Sequence, residues 1–490
     1  MLFNSIEFIV FFIFVLSIIS VLKYRKFQHL FIIFSSYFFF YFSSNYFLSL
    51  LIFSTLLDYY IAKEIWNTKE KKKKKILLIT SIIGNLSLLG FFKYVDFAIT
   101  QFNILGNVFN IGEDIPLLEL ALPIGISFYT FQTISYTVDV YRGILEPSKS
   151  LREFSLFVSF FPQLVAGPII RASEFLPQLR ERLVDSSSKI NLKQIIIENK
   201  NLKLGITIMS FGFLKKMFFA DNIGIIANNI FNDTMNANSF EIWLGTIAFA
   251  FQIYGDFSGY SDIAIGAALI LGFKIPKNFN KPYFAISPSD FWRRWHISLS
   301  SWLRDYLYIP LGGNRKKPMR IYLNLFTVMV LGGLWHGASW NFAIWGIMHG
   351  TYLVVQKILT NKFPKLSKNK FFKSKIGKII SILVTQYFVF LAWIPFRVQD
   401  FDSMIYAINK YIIIDFINLN SISIIDSNKN SIFILLVFIV FHYITFQKKN
   451  LITDISKLNL KKWFLIILLI SITIIVFFNG ISEDFIYFRF

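Results

Sequence analysis

Charge-free runs along the chain predict its architecture. A helix crossing the ~30 Å hydrocarbon layer needs about 20 mostly apolar residues, and ionised side chains are rare in such segments. Nine runs of at least 15 residues without Asp, Glu, Lys or Arg stand out. They are Phe8–Leu22, Phe27–Leu57, Ile76–Phe92, Leu120–Val138, Phe154–Ile170, Ile321–Gln356, Ile379–Phe396, Asn430–Gln447 and Trp463–Ser482. Leu202–Phe219 and Ile242–Phe273 are apolar stretches interrupted by isolated charges. The pattern predicts an all-α polytopic membrane protein with about 10–12 transmembrane helices plus re-entrant or interfacial pieces. Neither an internal repeat nor a soluble domain is visible. Residues 1–490 read as one membrane-embedded domain, with a motif-bearing core at 120–350 and C-terminal helices at 379–490.

Two runs are too long for one crossing. Phe27–Leu57 has Ser43, Ser44 and Asn45 near its middle, which predicts a tight hairpin there. Ile321–Gln356 has 36 residues, about 54 Å of helix, short of two full crossings. Gly332, Gly333 and Gly337 supply a break, which predicts a shallow hairpin with His336 near its apex. Phe160–Arg171 carries two prolines and a glycine and cannot be one regular helix. Leu122–Tyr129 is similarly broken, and Arg171–Lys203 reads as amphipathic and interfacial.

Charge adds orientation. Lysine and arginine concentrate in cytoplasmic loops. Lys23, Arg25 and Lys26, then Lys69 and Lys71–Lys75, therefore predict cytoplasmic segments. Glu7 precedes the first run and the positive charges follow it, which predicts a retained first helix with its N-terminus outside. Lys357–Lys378 has eight lysines and no acid, and Lys448–Lys462 has five lysines and one acid; both read as inside. Arg397–Lys429 has three basic and four acidic residues and can lie outside. The C-terminus is then expected to be extracytoplasmic.

Composition agrees. Hydrophobic residues make up 55%, aromatics 19% and charged residues 16%, with a mean hydropathy of +0.54. Soluble domains carry about 25% charged residues, so a cytosolic enzyme is disfavoured. The net charge of +21 belongs to juxtamembrane loops near anionic lipid and needs no nucleic acid. There is no cysteine. Disulfides, thiolate metal sites and thioester intermediates on this chain are thereby excluded, and any covalent acyl stop must use oxygen or nitrogen. No metal or bound cofactor is expected.

In so apolar a chain the polar residues carry the candidate chemistry. The five histidines are His29, His296, His336, His349 and His442. His336, deep in a broken hairpin, is either a general base lining a cavity or a histidine satisfied between helices. His296 follows Phe-Trp-Arg-Arg-Trp in a segment, Lys274–Arg320, with ten basic and two acidic residues. Its arginines suit a phosphorylated donor on the cytoplasmic side, or the segment is a helix pinned to headgroups. His29 and His442 read as structural, and His349 is left open. Asp256 and Asp262 sit in apolar sequence as functional carboxylates or as hydrogen-bonded struts. Tyr487, in the aromatic ending Phe485–Phe490, is an interfacial anchor or a hydroxyl nucleophile.

Taken together, these segments resemble the membrane-bound O-acyltransferase family, in particular its bacterial polysaccharide O-acetylation branch. The matching pieces, in order, are Pro123–Phe131, Phe160–Pro168, Tyr254–Asp262, Phe291–His296, Tyr308–Arg315, Leu334–Trp340 and the Phe-Ile-Tyr-Phe-Arg-Phe ending. The resemblance implies that His336 is the catalytic histidine in a tunnel and His296 its accompanying polar position. Asp256, Trp335, Trp340 and Asn341 would line the tunnel; Arg293, Arg294, Arg304, Trp292 and Trp295 would serve the donor; Tyr487 would be a possible acyl acceptor. It further implies a bacterial inner-membrane enzyme moving acetyl from a cytoplasmic donor, acetyl-CoA, to an extracytoplasmic polysaccharide, with an SGNH-type acetyltransferase as partner. D-alanyl transfer to teichoic acid and a non-catalytic transporter or flippase are the competing readings.

Overall fold

The computed structural model describes residues 1–110, 112, 114–164, 167–182, 190–192, 194–365, 369–414, 421–478 and 485–486. The described residues are mainly helical, with one small antiparallel ribbon among them pairing Arg180–Arg182 with Ile190–Leu192. Five helical stretches among the described residues are long and apolar enough to cross a membrane: Arg25–Asn67, Lys71–Phe109, Trp340–Lys362, Lys375–Arg397 and Lys429–Gln447. The chain is an all-α polytopic membrane protein. It forms two compact units, one of residues 1–206 with 263–276, the other of 207–262 with 277–490.

The first unit contains α1 (Ile6–Val21), α2 (Arg25–Ser44), α3 (Leu48–Asn67), α4 (Lys71–Phe109) and α5 (Ile126–Tyr141). The polar trio at 43–45 does interrupt the helix: Asn45 adopts a left-handed φ of 46° and a short 3₁₀ turn separates α2 from α3. The lysines of 71–75 are the first turns of α4 rather than a loop, and α4 continues past Lys93 and Asp96 to Phe109. Leu122–Tyr129 is broken as expected, since α5 starts only after Gly125, at φ 79°. In Phe160–Arg171 the helix Leu151–Ser159 stops at Phe160 and Pro162 sits in a new four-residue turn. The Asp58 carboxylate, on α3, is completely buried; it accepts from the Ser81 hydroxyl, Asn85 Nδ2 (2.7 Å) and Thr137 Oγ1 (2.8 Å), tying α3, α4 and α5 together.

The second unit contains the last seven residues of α6 (Asn199–Phe213), then α7 (Asp221–Phe231), the first three-quarters of α8 (Ser239–Ile270), α9 (Pro318–His336), α10 (Trp340–Lys362), α11 (Lys375–Arg397), α12 (Phe401–Ile412), α13 (Lys429–Gln447) and α14 (Leu460–Val476). Between α6 and α7 the helix widens to π geometry over Leu214–Ala220. A second π segment covers Arg304–Tyr308.

The hairpin at His336 is deeper than its charge-free length implies. α9 has 19 residues and α10 has 23, about 28 and 34 Å. Both extend through charged flanks, taking in Arg320 and Lys357. Long basic side chains reach out from helix ends, so counting charge-free residues undercounts helix. The break falls at Gly337, whose backbone is extended, and Ser339 caps α10 by accepting from Asn341 N at 3.1 Å. Gly332 and Gly333 remain helical. A Cβ on Gly333 would stand 2.3 Å from the Phe342 carbonyl oxygen, and one on Gly346 would stand 2.6 Å from that of Met329. These two glycines let the arms of the hairpin touch backbone to backbone.

Candidate active site

His336 is the last residue of α9, at the hairpin apex, and only 5% exposed. Its ring is boxed by aromatic side chains. Trp335 and Trp345 each lie 5.0 Å from it between centroids, and Phe396 of α11 lies 5.3 Å away. Trp345 also meets His349 at 4.7 Å, and His349 in turn stacks on Phe291 at 5.9 Å. The apex is strapped in place by Asn341, whose Nδ2 donates to the carbonyl oxygens of Val398 (2.6 Å) and Gln399 (2.8 Å).

His296 comes close to the same place. Its ring lies 6.2 Å from Trp335, so one indole neighbours both candidate histidines. His296 is fully buried and has a left-handed φ of 41° at the start of the helix Ile297–Leu303. Its Nδ1 is 3.3 Å from Asn278 Oδ1, which also accepts from Ser298 N (3.3 Å) and Ser298 Oγ (2.7 Å). Burial penalises the charged ring and pushes the His296 pKa down to about 3, against a backbone hydrogen bond that raises it. The ring is neutral at physiological pH.

Asp256 and Asp262, on α8, are both ion-paired. Lys215 pairs with Asp262, and Lys216 bridges Asp221 (2.7 Å) and Asp256 (3.0 Å). Asp256 also accepts from Ile486 N at 2.7 Å. The Asp256 carboxylate, expected as a tunnel-lining residue or a hydrogen-bonded strut, is held by a cation and a backbone amide. Lys215 and Lys216 were not singled out in the sequence. The available signal was complementary charge in two apolar stretches, two lysines facing two aspartates.

Other expected residues divide. Trp292 and Trp295 are buried, Trp295 stacked on Phe291 (5.6 Å) and 4.9 Å from Trp393. Both rings pack within the aromatic core, Trp292 also 5.7 Å from Trp345. Arg294 pairs with Asp290 at 3.0 Å and Arg304 with Asp305 at 2.6 Å; Arg293 also reaches Asp290, at 3.7 Å, with its side chain 72% exposed. Trp340, expected to line the tunnel, is 56% exposed at the apex. His442 lies in aromatic packing, stacked on Phe284 at 5.1 Å. Tyr487 lies outside the described residues. Phe485 and Ile486, just before it, are buried, with Phe485 4.4 Å from Tyr260 and 5.5 Å from Phe257. An anchor in the lipid interface does not describe those two residues, since their surface is covered by protein.

Comparison with known proteins accounts for this arrangement. The sequence profile of the membrane-bound O-acyltransferase family matches residues 34–393. The chain belongs to that family and is an O-acyltransferase of the multi-pass membrane type. It is 37% identical over 402 residues to the peptidoglycan O-acetyltransferase of Helicobacter pylori, covering 77% of this chain and 71% of that one. It is 37% identical over 404 residues to the probable alginate O-acetylase AlgI of Pseudomonas aeruginosa, covering 82% and 72%. Similarity to the teichoic acid D-alanyltransferase of Bacillus subtilis is lower, 28% over 292 residues, covering 57% and 69%.

Proposed function

We propose that this chain O-acetylates a polysaccharide outside the cytoplasmic membrane, with His336 as the general base. The observation that carries the assignment is the placement of His336: a titratable side chain at the apex of a two-helix hairpin, enclosed by Trp335, Trp345 and Phe396. The peptidoglycan and alginate O-acetylating relatives, more similar than the D-alanyl-transferring one, favour acetyl over D-alanyl. Catalysis by a family member also sets aside a transporter without chemistry.

In this reading acetyl-CoA docks on the cytoplasmic side beside Arg293, an exposed arginine of the basic segment. His336 takes the proton of the accepting hydroxyl as its oxygen attacks the thioester carbonyl. The carbon–sulfur bond breaks, the ester forms, and the proton passes from His336 to the departing thiolate. Such base catalysis contributes about 10²–10⁴-fold, and the aromatic box protects the acyl group from water. The hydroxyl belongs to the exported sugar, or to Tyr487 as an intermediate carrier. A chain without cysteine needs an oxygen or nitrogen for such a stop, and the burial of Phe485 and Ile486 supports a tail held inside the protein. An SGNH-type acetyltransferase is the partner expected to complete transfer from the carrier. Both termini lie outside, as the basic-loop count requires, with the chain in the bacterial inner membrane among its lipids.

His336→Ala is expected to lower polymer O-acetylation by about 10²-fold or more with the protein inserted and folded. Retained activity would remove the base assignment. Tyr487→Phe keeps the ring and removes only the hydroxyl; full acetylation in that variant would end the carrier role.

A further inference from the structure

The hairpin apex stands beside a polar cleft that the mechanism above does not use. The cleft has a volume of about 560 Å³, within the usual range for small-molecule sites. Its walls come from the end of α7 and from the turn joining α11 to α12. Side-chain amides and hydroxyls dominate the lining: Asn228, Asn232, Thr234, Gln399 and Ser403. Arg397 and Asp400 add one charge of each sign, and Phe231 and Val398 supply the apolar surface.

Several of these groups are held in place. Arg397 donates from its guanidinium to Asn228 Oδ1 at 3.0 Å and lies 5.8 Å over the Phe231 ring. Asp400 caps α12 by accepting from Ser403 N at 2.8 Å. The backbone at Val398 and Gln399 is fixed by the Asn341 strap. The same segment reaches the candidate base: Phe396, one residue before Arg397, is a wall of the His336 box. Asn232 and Gln399, by contrast, are exposed, and their amides face solvent.

From this arrangement we infer that the cleft binds the acceptor, a neutral saccharide, and delivers its hydroxyl toward the hairpin apex. Sugar hydroxyls both donate and accept hydrogen bonds. Primary amides do the same, so three amides and two hydroxyls in one cleft match a hydroxyl-rich ring better than an acyl chain. The single Arg and single Asp balance, which favours an uncharged sugar over a polyanion. The inference rests on the acetyl-transfer reading for its direction, because it takes Arg397–Lys429 as extracytoplasmic.

The test uses the full chain in lipid nanodiscs. Chitotetraose, a neutral N-acetylated saccharide, and tetramannuronate, its anionic counterpart, are titrated and followed by saturation-transfer NMR. Chitotetraose is expected to bind, and Asn232→Ala with Gln399→Ala together to weaken it by about tenfold or more, the effect of removing two hydrogen-bonding groups. Both positions are exposed, so the variant keeps its fold. Binding in His336→Ala is expected to equal that of the unaltered chain, which separates failure of the cleft from failure of the base assignment. Absence of saccharide binding, binding indifferent to the double substitution, or preference for tetramannuronate would each overturn the proposal. So would a double variant that stops acetylation in cells while neither saccharide binds the unaltered protein, since the cleft would then serve a protein partner.

Discussion

His336 and His296 are both buried, and Trp335 neighbours both rings, yet they are held in different ways. His296 sits in a hydrogen-bonded lattice, with Asn278 joined to its ring, to Ser298 twice and to Ser261 at 3.1 Å. Its surroundings leave it neutral and fixed. His336 ends a helix at a backbone break, among the flat faces and edges of Trp335, Trp345 and Phe396. The polar cleft begins one residue beyond Phe396. The contrast is the ground for reading His296 as a strut and proposing His336 as the reagent: one ring sits in a hydrogen-bonded lattice, the other in an aromatic box at the end of a helix.

Substitutions can break or sharpen that contrast. The largest expected effect is the one on acetylation in His336→Ala, about 10²–10⁴-fold, with its thermal unfolding midpoint close to that of the unaltered protein. A large drop in midpoint would make His336 a strut as well. Next is Lys216→Met. It leaves the buried Asp256 and the partly buried Asp221 without the Lys216 cation, and breaking such a buried pair costs about 3–5 kcal/mol, read by thermal unfolding in detergent. The adjacent Phe257 packs 4.7 Å from His296, so this variant reports on the layer behind the strut. The smallest is Asn278→Ala, expected to cost about 1–3 kcal/mol for the donors it strands. Acetylation per folded molecule should stay near normal. If Asn278→Ala lost as much transfer as His336→Ala at unchanged stability, His296 would belong to the chemistry and the contrast would collapse.

Much of the architecture was legible in the chain because it depends on local composition. Of Gly332, Gly333 and Gly337, expected to interrupt a long apolar run, Gly337 does so, while Gly332 and Gly333 stay helical. Polar residues at 43–45 had to break α2 from α3. Depth was harder to read, since lysine and arginine at helix ends extend a helix beyond its charge-free span. Candidate chemistry was legible where a single residue type is rare in its setting, as with His336. Roles that depend on neighbours were not. Trp292 and Trp295 have the composition of an interfacial motif, but ring packing against Phe291 and Trp393 puts them in the core. Asp256 has the look of an open intramembrane acid, but Lys216 and Ile486 occupy it.

By itself, then, the sequence determined that this is a helical membrane protein, that its long apolar runs are interrupted near 43–45 and near Gly337, that no cysteine of this chain can carry an acyl group, and that His336 stands at a turn. Those properties follow from hydropathy, glycine and the absence of one residue type, all of which act over a few neighbouring positions. Only the tertiary structure decided which lysine neutralises which aspartate, which histidine is bound into a lattice and which faces an aromatic box. It alone also placed the end of α7 and the start of α12 around one polar cleft beside the hairpin apex. Partners such as Asn278 and Ser261, or Asn341 and Gln399, lie far apart along the chain, and their pairing is fixed by packing between helices, which no local pattern encodes.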